Sequence, residues 1–295
     1  MFTDVRSVDK ELLSGVDAVV YLAAISNDPM GASFEAITLD VNHRAAITLA
    51  EQVRAAGAKS FVFASSCSVY GFAEGGAKTE ESEVNPLTAY AKSKVSAEKD
   101  LAALANPNFT VTCLRFSTAC GMSERLRLDL VLNDFVASAV TAKKITILSD
   151  GTPWRPLIHI RDMARAIDWG VQRKSANGGE FVSVNVGSDG WNYQVRDLAT
   201  AVSKAIPNVE ISINQNAQPD KRSYRVSFEK FLRLAPQYQP EMDLAAAILD
   251  LKTGLEKMGF ADREFRNSHL IRLNMLKELK SQGCLSEDLR WVPNS

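Results

Sequence analysis

Apolar runs and helical patterns alternate along the first two thirds of the chain. Three short apolar runs typical of buried parallel strands are separated by two longer segments with apolar residues at helical spacing. The strand-like runs are 17–22, 59–65 and 109–116, and the helical segments are 33–56 and 86–105. Ser33 and Thr88 are predicted to cap the two helices, and Gly57 to end the first. Strands separated by helices of this length predict βαβ units and a parallel sheet, hence an α/β fold.

The pattern changes after Gly121, where the predicted segments are shorter and no longer alternate regularly between strand and helix. Helices are predicted at 128–144, 161–171 and 195–205, strands at 145–148, 156–160, 181–186 and 209–213, and charged helix-prone stretches at 229–234, 243–258 and 266–281. We therefore expect two lobes without a flexible linker. Residues 1–121 form the first, to which part of 156–190 returns, and residues 122–295 form mainly a second, smaller α/β lobe.

Charge and composition narrow the function classes. The chain of 295 residues carries 34 Lys and Arg against 35 Asp and Glu, so it lacks the basic field that holds nucleic acid or anionic membranes. Its apolar runs are far shorter than the roughly 20 residues that span a bilayer, and no secretion signal is visible. The cysteines at 67, 113, 120 and 284 form no C-x-x-C pair, and His43 and His269 have no partner at metal-ligand spacing. A cytoplasmic protein without a metal, nucleic-acid or membrane partner is expected.

One candidate for chemistry is Tyr90-Ala-Lys92-Ser-Lys94, near the start of the second predicted helix. Tyr90 and Lys94 are four residues apart and lie on one helix face. A tyrosine with a pKa near 10 is a poor base at neutral pH, and a neighbouring ammonium favours the phenolate. Alone, this common motif favours an exposed helix with a solvated lysine. Its context differs, because Ser65-Ser66-Cys67-Ser68-Val69-Tyr70-Gly71 follows a predicted strand, where α/β sheets bind ligands.

Together with other segments, these two motifs resemble the extended short-chain dehydrogenases/reductases, and among them the NAD-dependent nucleotide-sugar epimerase/dehydratase family. The other matching segments are Asp17-Ala-Val-Val-Tyr-Leu-Ala-Ala24, Val41-Asn42, Leu114-Arg115-Phe116-Ser-Thr118-Ala-Cys-Gly121, Asn133 and Arg155-Pro-Leu-Ile-His159-Ile-Arg-Asp162. The resemblance runs from about residue 4 to about residue 260. It implies that residues 1–121 form a Rossmann-like lobe for NAD and that the second lobe binds a nucleotide sugar.

The resemblance also implies a role for each matching residue. Ser66 would hydrogen-bond a sugar hydroxyl, Tyr90 would take its proton as hydride leaves for the nicotinamide, and Lys94 would lower the pKa of Tyr90. The cofactor, NAD with NADP not excluded, would contact Asp4, Val5, Leu22, Ala23, Ala24, Asn42, Ser65, Tyr90 and Lys94. The nucleotide sugar would contact Ser66, Thr118, Asn133, Arg155 and, as a weaker candidate, Arg222. A homodimer is implied, through helices near 33–57 and 88–105.

Three departures from the family pattern shape the expected function. The sequence contains no Gly-x-x-Gly-x-x-Gly, so we expect the first two βα units and the pyrophosphate-binding helix start to be absent. Cys67 and Ser68 replace the acidic pair of sugar dehydratases, and Cys120 replaces a common tyrosine. An epimerase acting by transient oxidation at C4 is therefore favoured over a dehydratase, with a 4-ketoreductase as a relative. The alternative is a truncated, non-catalytic remnant that binds a nucleotide sugar or a partner but holds NAD poorly.

Two other residues receive structural interpretations. His159 lies in an extended apolar segment and is predicted to be a hydrogen-bonded core histidine. Cys67 is predicted to be a small core residue rather than a reactive thiol.

Overall fold

The computed structural model describes residues 3–73, 75–214, 217 and 223–292. In this part of the chain the strands are β1 (Ala18–Tyr21), β2 (Ser60–Ser66), β3 (Thr110–Phe116), β4 (Thr118–Cys120), β5 (Lys144–Ile147), β6 (Trp154–His159), β7 (Phe181–Val186), β8 (Asn192–Gln194) and β9 (Glu210–Ile213). The α-helices are α1 (Asp28–Ser33), α2 (Glu35–Leu39), α3 (Ala45–Ala55), α4 (Ala89–Ala102), α5 (Val131–Thr141), α6 (Ile160–Gln172), α7 (Val195–Ala205), α8 (Glu229–Leu234), α9 (Leu244–Lys257) and α10 (Arg272–Ser281). No helix within the described ranges is both long and apolar enough to cross a membrane.

A parallel sheet in the order β1-β2-β3-β7 is the centre of the larger lobe. Successive side chains of β2 point to opposite faces, so Phe61 and Phe63 pack with α3 and α4 while Val62 packs with α6. Because helices cover both faces, the strands are almost continuously apolar in sequence. The parallel α/β fold predicted from the alternating pattern is confirmed.

The smaller lobe contains a three-stranded sheet, β4-β6-β8, and a two-stranded sheet, β5-β9. Its core joins α5, α7 and α9 through residues such as Leu132, Leu198 and Leu251. The strand β6 leads directly into α6, and both α6 and β7 pack into the larger lobe. Part of 156–190 therefore packs against β2 and β3, and the division into two lobes stays a prediction.

The helix predicted over 33–56 is broken and begins earlier than expected. Asn27 has a φ of 117°, and its side chain accepts a hydrogen bond from the Met30 amide at 2.9 Å, so α1 starts at residue 28. At Phe34 the backbone leaves the helical region, which separates α1 from α2 and leaves Ser33 inside α1 rather than capping a helix. A π-helical turn over Asp40–Arg44 precedes α3. Gly57, with a φ of 94°, follows the end of α3 as predicted.

The C-terminal residues fold back onto the N-terminal ones. Arg6 donates a hydrogen bond to the carbonyl oxygen of Asp288 at 2.7 Å. The Lys280 ammonium of α10 lies 5.7 Å from the ring centre of Phe34, between α1 and α2. The two ends of the described chain therefore meet beside α1.

Candidate active site at the start of helix α4

Two turns bring Ser66 and Tyr90 together. Strand β2 ends at Ser66, whose hydroxyl oxygen accepts a hydrogen bond from the Ser68 amide at 3.1 Å. Thr88 caps α4 as predicted, accepting a hydrogen bond from the Ala91 amide at 3.2 Å. Tyr90 therefore stands in the first turn of α4, where its phenol is hydrogen-bonded to Ser66. The two residues meet at the carboxyl end of a central strand.

The pKa of Tyr90 is raised in this structure, so the net lowering that the resemblance implied is not found. Burial of the phenol is the largest cause, because desolvation disfavours the phenolate. The hydrogen bond with Ser66 and the positive charge of Arg127 act in the opposite direction, while the negative charge of Asp28 adds to the rise. Arg127, which the sequence interpretation did not single out, is thus a cation that acts on the phenol.

Lys94 lies beside Tyr90 and is almost completely buried. Its side chain is only 2% exposed, and its ammonium donates a hydrogen bond to the carbonyl oxygen of Ala64 at 2.6 Å. The ammonium lies 4.5 Å from the ring centre of Phe63 and 5.6 Å from that of Tyr90. Burial lowers the pKa of Lys94 to about 8, so most of the population is still protonated at pH 7.

Ser65 belongs to a buried polar network rather than to a cofactor surface. Its side chain is 3% exposed and its hydroxyl donates to Glu98. The Glu98 carboxylate also accepts hydrogen bonds from Arg115 at 2.6 and 3.0 Å and from Ser183 at 3.1 Å. Arg115 in turn donates to the hydroxyl of Tyr70 at 3.0 Å. The assignment of Ser65 to the cofactor is corrected, because its hydroxyl is bonded to this internal network.

Asn42 fixes the loop that follows β1. It is fully buried, and its amide oxygen accepts a hydrogen bond from the Ile25 amide at 2.8 Å. Its amide nitrogen donates to the Ile25 carbonyl at 3.0 Å and to the Ser93 hydroxyl at 3.1 Å. Asn42 is therefore a positioning residue that ties the loop to α4, rather than a direct cofactor contact as expected. In the same loop Leu22 is 58% exposed, and Ala23 and Ala24 are partly exposed.

Asp4 and Val5 were expected to contact the cofactor. They lie in a turn and not in a strand. Val5 begins a 3-10 turn over Val5–Ser7, and the Asp4 carboxylate caps that turn. The same carboxylate accepts hydrogen bonds from the Arg6 guanidinium at 2.6 and 2.9 Å, which lowers its pKa. Arg290 lies 3.7 Å from it. The Asp4 carboxylate, expected to contact the cofactor, thus lies against two arginines.

The expected sugar-binding residues lie in different environments. Thr118 opens β4 and is partly exposed. Asn133 is buried, accepting from the Gly121 amide at 3.1 Å and donating to the Arg127 carbonyl at 2.9 Å, so it holds a loop in place. Arg155 of β6 is half-buried and donates to the Trp154 carbonyl at 2.8 Å. Arg222 lies outside the described residues.

Two residues near the phenol were missed by sequence reasoning. Arg127, in the loop between β4 and α5, donates to the Ser26 hydroxyl at 3.0 Å and to Asp129 at 2.7 Å. Tyr224 is buried, and burial raises its pKa, while the charge of Arg155 acts in the opposite direction. The only feature of the sequence that could have indicated a role for Arg127 is the Arg-x-Asp spacing, which is common. No feature of the sequence indicated a role for Tyr224.

His159 and Cys67 have the structural roles predicted for them. The Nδ1 atom of the fully buried His159 accepts from the Arg161 amide at 3.2 Å, and Nε2 lies 3.1 Å from an Asp250 carboxylate oxygen. Gly121, with a φ of 110°, leaves room for the ring, since a Cβ there would lie 2.3 Å from Nε2. The Cys67 thiol donates to the carbonyl of Arg115 at 3.0 Å, and burial raises its pKa.

The parallel sheet, with a Ser66–Tyr90 pair at the carboxyl end of β2, defines a Rossmann-like α/β protein. Residues 2–187 match the NAD dependent epimerase/dehydratase family. Because the match covers more than half of the chain, the protein belongs to this family.

Individual relatives agree with this membership. The UDP-glucose 4-epimerase of Haemophilus influenzae is 32% identical over 177 residues, which are 54% of this chain and 52% of that protein. The dTDP-glucose 4,6-dehydratase of Streptomyces griseus is 28% identical over 162 residues, 54% of this chain and 48% of that protein. The chain therefore spans about half the length of the curated relatives that it matches.

A solved structure extends the similarity of fold. MoeE5 in complex with UDP-glucose and NAD superimposes with a TM-score of 0.76 over 88% of this chain and 85% of that one, at 22% identity. This similarity shows that both lobes share one fold with that protein.

Proposed function

We propose that the protein is an NAD-dependent oxidoreductase of nucleotide sugars of the epimerase type, with Tyr90 as the base that acts at C4. The proposal depends on the hydrogen-bonded pair of Ser66 and Tyr90, with the Lys94 ammonium 5.6 Å from the phenol ring. A sugar hydroxyl bound between the two oxygens would have both a hydrogen-bond partner and a proton acceptor. The family and the names of its relatives supply the substrate class, a nucleotide-activated hexose.

The residues around Tyr90 fit the nicotinamide half of NAD, which when bound supplies a hydride acceptor. An ammonium has three N–H donors, and Lys94 uses one for the Ala64 carbonyl, which leaves donors for the ribose hydroxyls. The exposed loop at Leu22 follows β1, which is parallel to β2, so it lies at the same end of the sheet as the carboxyl end of β2. The pyrophosphate is assigned to no residue, because the glycine-rich turn that holds it in dinucleotide folds has no counterpart in the sequence.

The chain's own charges account for the proton at Tyr90. Burial keeps the phenol protonated in the substrate-free protein, because its pKa is raised. Burial also strengthens the attraction between a phenolate and the nearby cations, since the effective dielectric constant is low. Lys94 and Arg127 would therefore stabilise the phenolate that forms when Tyr90 loses its proton to solvent, and this phenolate would then accept the proton of the substrate hydroxyl.

The environment of Cys67 argues against a dehydratase. Elimination of water needs an acid and a base besides Tyr90, and Cys67 occupies one of the two positions expected for them. Its thiol is buried and hydrogen-bonded to the Arg115 carbonyl. Epimerisation or ketone reduction is favoured, since neither needs this second pair. The homodimer through helices near 33–57 and 88–105, and the cytoplasmic location, stay predictions.

Replacing Tyr90 tests the proposal. A panel of UDP- and dTDP-hexoses with NAD is expected to identify a substrate whose 4-epimer appears by NMR. Tyr90→Phe should then lower the rate by about 10²- to 10⁴-fold, the usual contribution of a positioned base. The partly exposed Tyr238 provides a matched control, and Tyr238→Phe should retain the rate.

Two outcomes contradict the proposal. Unchanged turnover in a folded Tyr90→Phe variant removes Tyr90 from the chemistry. Failure of the wild-type chain to bind NAD in a calorimetric titration, together with retained binding of a nucleotide sugar, supports the non-catalytic remnant instead.

A further inference from the structure

Two arginines from distant parts of the sequence, Arg127 and Arg272, are brought together by a backbone contact. The loop that carries Arg127 is joined to the residues before α10, because the Leu128 amide donates to the Leu270 carbonyl at 3.1 Å. Arg272 is the first residue of α10, a helix without a side-chain cap at its start. Arg125 precedes Arg127 by two residues and is exposed. Positive charge is therefore concentrated between this loop and the start of α10.

This positive charge is poorly balanced. Arg127 donates two hydrogen bonds to Asp129, at 2.7 and 3.0 Å, and that carboxylate also accepts from Asn27. Arg272 is half-buried and forms no ion pair within 4 Å in the described ranges. Burial and the charges of Arg127 and Arg125 lower its pKa, with only Asp129 acting in the opposite direction. Ionisable groups that are perturbed by burial and by neighbouring charges cluster at functional sites.

The cluster is tied to the base by short contacts. Arg127 binds the hydroxyl and carbonyl oxygens of Ser26, in the loop that leads to α1. Asp28 at the start of α1 accepts a hydrogen bond from Thr88, the cap of α4, at 2.7 Å. Gly31 of α1 packs so closely that a Cβ there would lie 3.2 Å from the amide nitrogen of Tyr90. Arg127 is therefore placed on the α1 side of the phenol.

The chemistry of a hexose indicates which substrate group would reach this side. The carbon bearing the exocyclic C6 group is the ring neighbour of C4, so a C6 substituent lies at the same end of the sugar as the reacting hydroxyl. The diphosphate on C1 lies at the opposite end. A neutral hydroxymethyl group would leave Arg272 without an ion pair in the described ranges, whereas a carboxylate matches the arginine fork and can accept two hydrogen bonds from it.

We infer that Arg127 and Arg272 form an anion subsite beside Tyr90, and that the substrate is a nucleotide-linked uronic acid whose C6 carboxylate binds there. The inference depends on the proposed function, because it places the reacting C4 hydroxyl at Tyr90. It adds the charge of the sugar, which the motifs around Ser66 and Tyr90 do not specify.

Calorimetric binding of two matched ligands tests the inference. The chain with NAD is titrated with UDP-glucuronic acid and with UDP-glucose, or with the dTDP pair if the panel selects that nucleotide. The acid is expected to bind at least about tenfold more tightly, as one charged hydrogen-bonded pair provides. Arg127→Gln and Arg272→Gln should each remove most of that preference. Arg233→Gln, which changes an exposed arginine in α8, should retain it.

The outcomes separate this inference from the proposed function. Equal binding of the two ligands by the wild type, or a preference that survives both glutamine variants, overturns the subsite and leaves the epimerase proposal standing. Binding of neither sugar overturns the proposed function as well. If a glutamine variant does not fold, Arg272→Lys keeps the charge but loses the fork, and it should reduce the preference without abolishing it.

Discussion

The two arginine sites, Arg115 with Glu98 and Arg127 with Arg272, differ in how their charge is balanced. Arg115 is buried against Glu98, which also accepts from Ser65 and Ser183, so every strong group there has a partner. Arg127 and Arg272 lie near one carboxylate, and Arg272 has no ion pair within the described ranges. We call the Arg115 site matched, because the protein supplies its counter-charge, and the Arg272 site unmatched, because it does not. A matched buried charge stabilises the fold, whereas an unmatched charge is free to bind a ligand.

Removing the matched partner should have the largest effect. Glu98→Ala leaves Arg115 buried without a counter-charge and removes partners from Ser65 and Ser183. We expect a loss of about 3–5 kcal/mol in the free energy of unfolding, measured by urea denaturation. The exposed Glu83 is the control, and Glu83→Ala should change stability by less than about 0.5 kcal/mol. A loss below about 1 kcal/mol for Glu98→Ala would show that Arg115 does not depend on Glu98 for its counter-charge.

Lys94 provides a second, pH-dependent test of the matched site. The Glu98 carboxylate raises the pKa of Lys94, but it is already bonded to Arg115 and cannot offset burial, which lowers that pKa to about 8. Between pH 8 and about 10.5 the unfolded chain therefore binds more protons at this lysine than the folded chain, so stability rises with pH across that window. Well below pH 8 the lysine is protonated in both the folded and the unfolded chain, so this gain in stability is absent.

Lys94→Met isolates that contribution. The difference in unfolding free energy, wild type minus variant, should increase by on the order of 2–3 kcal/mol from pH 7 to pH 10. Tyrosines and other lysines titrate in both proteins and cancel in the difference. A difference that stays flat with pH would mean that Lys94 is as easily protonated in the folded protein as in the unfolded one.

The sheet and the proximity of Ser66 to Tyr90 could be predicted because their signals are local. The strands β2 and β3 are continuous apolar runs that a parallel sheet buries on both faces. The spacing of Tyr90 and Lys94 fixes one helix face, and the position of Ser66 at a strand end fixes the edge of the sheet. Each of these inferences needs only a few neighbouring residues.

The polar partners could not be predicted, because they depend on contacts between distant segments. Ser65 and Asn42 matched the family pattern, yet their side chains are bonded to Glu98 and to Ile25. Arg272 lies beside Arg127 only because the chain before α10 pairs with residue 128. No spacing or periodicity in a single sequence reports such a juxtaposition.

The smallest expected effect comes from the unmatched site. Arg272 forms no ion pair in the described part of the chain and lies near two like charges. Arg272→Gln should therefore leave the ligand-free protein equally stable or stabilise it by up to about 1 kcal/mol at low salt. The gain should shrink as salt screens the repulsion, which urea unfolding in dilute buffer and at about 0.5 M NaCl would show. A loss above about 1 kcal/mol would place Arg272 with Arg115, as a residue that the fold itself needs, and would remove the contrast between the two sites.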